Sequence, residues 1–122
     1  MAWELSSDRP IYAQLVEVIE MQIVSGYYGP GAKLPSVREL AAEAAVNPNT
    51  MQKAFVELER SGLIITQRTN GRIVTENQEL LNKVRQDLAE NHVIDFSEKM
   101  RELGYEKKDA VSLVEKYFEE EK

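Results

Sequence analysis

The chain has 122 residues, no cysteine, 43% hydrophobic and 30% charged residues, and a formal net charge of −6. That length supports one modest core plus an appendage, and the missing thiols exclude disulfides and thiolate metal sites. No apolar run approaches the roughly 20 residues of a membrane span, and Glu4 and Asp8 interrupt the opening where a secretory leader needs an apolar core, so no membrane partner and a cytoplasmic location are expected.

In chain order, Trp3 reads as a lid on the core, with a dimer contact as the alternative, and Ser6-Ser7-Asp8 as a cap or loop. Pro10 starts a helix in which Ile11, Leu15, Val18, Ile19 and Ile23 keep helical spacing, and Ser25-Gly26 ends it. Gly29-Pro30-Gly31 then forces a turn before Lys33-Leu34, a short strand suited to pairing with a later hairpin.

Ser36 and Glu39 have capping-box spacing, so a second helix is predicted from Val37, with Leu40 and Ala44 inward. Asn47-Pro48 is a new start signal, an N-cap followed by proline at the first helical position. The third helix carries Met51, Ala54, Phe55 and Leu58 as one buried stripe. Two helices a turn apart make a helix-turn-helix. Burying that stripe turns Asn49, Gln52 and Lys53 outward in the first turns, where a recognition helix meets base edges and phosphates. Asn and Gln suit adenine, and Lys suits guanine or phosphate; an ordinary solvated face is the bland reading of the same residues. Ser61-Gly62 is a stop. β-Branched runs on both sides of Asn70-Gly71 predict a hairpin with a type I′ turn. Arg68 and Arg72 flank its tip and suit approach to a phosphate chain, which makes the hairpin the wing of a winged helix-turn-helix.

The tail reads as helical and amphipathic. Thr75 and Gln78 have capping-box spacing, and Leu81, Val84 and Leu88 make a stripe that resumes, after a five-residue step, at Val93, Phe96, Met100 and Leu103. One long helix with a phase change is preferred over two helices broken near Asn91. Gly104 ends it, and a last helix from Glu106 to Glu120 carries Ala110, Val111, Leu113, Val114, Tyr117 and Phe118. Two helices cannot bury so much apolar surface against each other alone. A second copy is the expected cover, through Leu81, Val84, Leu88, Val93, Phe96, Met100, Leu103, Val111, Val114, Tyr117 and Phe118; a tail folded back on its own chain is the alternative.

Catalysis has little support. His92 and Asp95 are too few for a metal site, and neither a nucleophile with an adjacent base nor a phosphate-cradling glycine loop is present. No catalytic residue, metal or cofactor is expected, and the chain does not read as an enzyme. The acidic total hides a split: residues 33–75 carry six Lys or Arg against four Asp or Glu, whereas residues 76–122 carry eight against thirteen. The acidic surplus thus lies outside the segment expected to meet DNA.

The succession Pro10-Ile11-Tyr12, Gly31, Leu34-Pro35-Ser36, Arg38-Glu39-Leu40-Ala41, Val46-Asn47-Pro48-Asn49-Thr50, Leu58-Glu59, Gly62-Leu63-Ile64 and Gly71 resembles the DNA-binding domain of the GntR family of bacterial transcription regulators. The Val-Asn-Pro-Asn-Thr form and the short tail look most like its YtrA-like subfamily, whose members are dimeric and often repressors. The resemblance implies a mainly α fold with a small β-hairpin: a winged helix-turn-helix at residues 1–75 and a helical dimerisation or effector region at 76–122. It implies DNA contacts at Arg38, at Asn47, Asn49, Thr50 and Lys53 around the recognition helix, and at Asn70 and Gly71 in the wing, with Ser36 near the backbone. The residues themselves add Gln52, Arg68, Thr69 and Arg72. Gln52 and Lys53 stand where many relatives carry arginine, which bears on the operator read. The function expected is a sequence-specific regulator, a repressor binding a palindromic double-stranded operator as a homodimer, with an unidentified small-molecule effector as a further partner. The alternative is a winged-helix protein-interaction module without DNA binding, motivated by the acidic total.

Overall fold

The start and stop signals translate into five helices and one hairpin among residues 3–120, which the computed structural model describes. Helix α1 (Ile11–Val24) begins after Pro10 and buries Leu15, Ile19 and Ile23. Its polar Gln14 is also buried, because it accepts the Ser6 N–H at 2.7 Å and donates to the Ser6 and Arg9 carbonyls at 2.8 and 2.9 Å. One satisfied amide thereby ties the preceding loop to the helix.

Helix α2 (Val37–Ala44) opens on both arms of the capping box, Glu39 N–H to Ser36 Oγ at 3.1 Å and Ser36 N–H to Glu39 Oε1 at 3.0 Å. It stops at Ala45, whose φ of 58° is left-handed. Helix α3 (Pro48–Arg60) starts one cap later, the Asn47 side chain accepting the Asn49 N–H at 2.7 Å. Leu15, Ile19, Leu40, Met51 and Phe55 are at most 1% exposed and form the centre of the core, each contributing roughly 1.5–3 kcal/mol of apolar burial. Trp3 packs against this core, and its indole N–H donates to Glu43 at 2.9 Å.

Strands β1 (Ile64–Gln67) and β2 (Gly71–Val74) pair antiparallel, from Ile64 opposite Val74 to Gln67 opposite Gly71. The turn is not the type I′ expected at Asn70-Gly71. That turn needs positive φ at both central residues, and Gly71 has it (72°) while Asn70 does not. The register instead leaves Arg68-Thr69-Asn70 as a three-residue loop, with Gly71 supplying the left-handed step. Lys33 bridges Ile73, with Leu34 N–H donating to Arg72 O and Val74 N–H to Ala32 O, each at 2.9 Å. The short strand before α2 thus lines the wing.

Helix α4 (Gln78–Glu102) runs unbroken through Asn91, and α5 (Lys107–Glu120) follows a turn at Gly104, φ 87°. The cap of α4 is Asn77 and not Thr75: Asn77 Oδ1 accepts the Leu80 N–H at 3.2 Å, while the buried Thr75 hydroxyl accepts the Asn77 N–H at 3.1 Å. The chain divides into two compact units, one up to Gln86 and one from Asp87. In the first, Leu81 is 4% exposed and belongs to the core, Val84 packs against it, and Arg85 donates to the Val24 carbonyl at 3.1 Å, capping the end of α1. No helix among the described residues is long and apolar enough to cross a membrane.

Candidate nucleic-acid interface

The two caps decide which polar groups α2 and α3 present. Ser36 and Arg38 are exposed at the start of α2, and Asn47, Asn49, Gln52 and Lys53 are exposed at the start of α3, with Thr50 half-buried between them. Because the Asn47 side chain accepts a hydrogen bond in capping α3, its amide N–H2 is the group left to meet an acceptor. The Lys53 ammonium lies 4.0 Å from the centroid of the Tyr12 ring of α1. A cation over a ring face at an exposed site gains about 0.5–1 kcal/mol, so Tyr12 holds a cation that would otherwise sweep freely.

The wing divides its residues into two sets. Arg68, Thr69, Asn70 and Gly71 are exposed, and Asn70 steadies the tip by donating to Gln67 Oε1 at 2.9 Å. Arg72 departs from the expected free cation: its Nε–H donates to Glu59 Oε1 at 3.2 Å, and its guanidinium lies 5.1 Å from the centroid of the Phe55 ring. Arg38 and Arg68 have no ion-pair partner among the described residues. The opening of α2 and the wing come together around a cleft of about 310 Å3, lined by Lys33, Pro35, Ser36, Glu39, Thr66 and Arg72 among others.

Lys33, expected as a strand residue, is also a cation of this surface. It is exposed, and its stem passes 3.7 Å from where a Cβ on Gly71 would stand. Glu59, part of the Leu58-Glu59 motif, joins the wing to α3. Period-2 reading of a strand that pairs with the wing puts Lys33 beside the hairpin; no local pattern announces Glu59.

The unit from Asp87 onward has a different surface. The end of α4 and the start of α5 enclose an apolar groove of about 840 Å3, lined by Val93, Phe96, Met100, Tyr105, Val111 and Val114 among others. Met100 is 9% exposed at its floor, while Leu103 and Phe118 stand 72% and 74% exposed, and Tyr117 is also exposed. Of the residues expected to associate, Leu81 and Val84 are instead covered within the first unit, and Leu88 is half-buried. Asp95 pairs with Lys99 at 2.9 Å on this helix.

Comparison with known proteins meets the same residues. Residues 11–74 match the family model "Bacterial regulatory proteins, gntR family". An uncharacterized HTH-type transcriptional regulator of Bacillus subtilis, YhcF, is 34% identical over 95% of this chain and 96% of its own length. The HTH-type transcriptional repressor YtrA of the same organism is 48% identical over 58% of this chain and 55% of its own. A solved GntR family transcriptional regulator from Listeria monocytogenes superposes with a TM-score of 0.82 at 38% identity, over 92% of this chain and 98% of that one.

Proposed function

Because the chain belongs to the gntR family of bacterial regulatory proteins, and within it is of the YtrA-like kind, we propose that it binds a palindromic operator as a homodimer and represses transcription there. The family is one of DNA-binding transcription regulators and not an enzyme class. The observation that carries the finer reading is the exposed set Arg38 at the start of α2 and Asn47, Asn49, Gln52 and Lys53 at the start of α3. Hydrogen-bonding groups and cations are gathered where a recognition helix enters the major groove.

In this reading α3 enters the groove, with Asn49, Gln52 and Lys53 toward base edges and Ser36, Arg38, Asn47 and Thr50 toward base or backbone. Arg68, Thr69, Asn70 and Gly71 follow the phosphate chain beside it. Arg72 acts from behind, through Glu59. Residues 1–75 are the reader; of residues 76–122, the dimerisation and effector region, the stretch up to Gln86 packs with the reader and the part from Asp87 onward is left to associate. A second copy covers the groove of α4 and α5 through Val93, Phe96, Met100, Leu103, Val111, Val114, Tyr117 and Phe118. A small molecule lodged there would alter the spacing of the two recognition helices and release the operator. The protein acts in the cytoplasm, on the chromosome.

The substitution Arg38→Ala tests the reading. In a fluorescence-anisotropy titration it weakens operator binding by about 1–3 kcal/mol and lowers the log–log salt slope by about 1. Unchanged affinity and slope would remove Arg38 from the interface.

A further inference from the structure

Glu59 stands in the last turn of α3, on the recognition helix yet away from its exposed first turns. Its Oε2 accepts the Thr66 hydroxyl at 2.6 Å, and its Oε1 accepts the Arg72 Nε–H at 3.2 Å. Thr66 and Arg72 are register partners, one on each strand of the wing. One carboxylate therefore grips both strands at the same rung, and Arg72 adds its guanidinium against the ring of Phe55, a core residue of the same helix.

We infer that Glu59 is a positioning residue for DNA binding: its carboxylate staples both strands of the wing to α3, so that recognition helix and wing meet DNA in one fixed geometry. The inference rests on the reading of the wing tip as a DNA contact. Charge alone predicts the opposite effect, because a carboxylate beside the docking face of a polyanion weakens binding. Glu59 therefore raises affinity through geometry against its own electrostatic sign.

The test compares the full-length wild type with Glu59→Ala, Glu59→Gln, Arg68→Ala and the Glu59→Ala/Arg68→Ala double variant. Each is titrated by fluorescence anisotropy against a duplex of the promoter upstream of its own gene, after a thermal melt confirms folding. Glu59→Ala binds ~3- to 10-fold more weakly, the scale of one hydrogen bond and one part-exposed ion pair lost. Glu59→Gln stays within about twofold of the wild type, since an amide still accepts from Arg72 and donates to Thr66 Oγ1. In the double variant the Glu59→Ala penalty shrinks, because the staple acts through the wing contact that Arg68→Ala has already removed. Glu59→Ala binding as tightly as the wild type or tighter overturns the inference. So do equal losses in the Ala and Gln variants, which would show that the hydrogen bonds an amide keeps to Thr66 and Arg72 do not sustain affinity, and an unchanged penalty in the Arg68→Ala background. If Glu59→Ala fails to fold, Thr66→Val removes one arm of the staple and carries the same expectation of weaker binding. Full affinity in Arg68→Ala would overturn the wing contact itself, whereas loss in Arg68→Ala with none in Glu59→Ala would overturn the staple alone.

Discussion

The Glu39 carboxylate accepts the Ser36 N–H, and the Glu39 N–H donates to the Ser36 hydroxyl oxygen in return. The Ser36 amide hydrogen bond first, then the serine hydroxyl, and to a lesser extent the nearby Lys33 charge, hold its pKa below the ordinary 4.5. A carboxylate depressed in the folded state stabilises fully above its unfolded value, and that contribution is lost as pH falls through the folded one. Acid denaturation followed by circular dichroism is therefore steeper below pH 4.5 in the wild type than in Glu39→Gln; superimposed acid limbs would contradict the capping role. The box was legible in the sequence because its partners are three residues apart. The same holds for Asn47 and for the outward placement of Gln52 and Lys53, which follow from burying Met51, Ala54, Phe55 and Leu58. Arg72 was not legible in this way. Its partner Glu59 lies 13 residues back on another element, and only the folded packing brings them together. Tyr12 under Lys53 is a tertiary meeting of the same kind.

Elements ended where local chemistry said, but the conformations at their junctions did not all follow from residue type. Asn-Gly favours a type I′ turn, yet pairing Gln67 with Gly71 lengthens the loop to three residues. The residues just before α2 also lie along this hairpin, through the two backbone bonds of the Lys33–Ile73 bridge and a further one from the Gly31 N–H to Val74 O. Between α2 and α3 the left-handed residue is Ala45, φ 58°, where glycine is the usual choice. A left-handed conformation costs an L-residue roughly 1–2 kcal/mol, partly offset in glycine by its greater loss of backbone freedom. Ala45→Gly thus stabilises the protein by about 0.5–1 kcal/mol in urea denaturation, and a destabilised variant would contradict the account of this turn. The start of α4 moved by a single cap, from Thr75 to Asn77, because Thr75 is buried and its hydroxyl serves the chain just before the helix.

For the whole molecule, a net charge of −6 sets an unfavourable background for binding a polyanion. In the proposed complex, contacts come from few residues: Arg38 and Arg68, which have no ion-pair partner among the described residues, Lys53 held on Tyr12, and the wing held by Glu59. In the proposed dimer a second chain covers the apolar face of the second unit, and such a symmetric pair would read two half-sites about 34 Å apart. Val114 lines the groove of that unit. Val114→Asp places a carboxylate in the proposed interface and raises the dimer dissociation constant about tenfold or more, because burying an unpaired charge costs several kcal/mol. Sedimentation velocity reads this directly, and an unchanged profile would contradict the assignment of this surface. The most direct test of the central claim is footprinting of the pure protein on the promoter upstream of its own gene. The account predicts two symmetric protected half-sites with centres about one helical turn apart, and protection of a single half-site, or none, would contradict it.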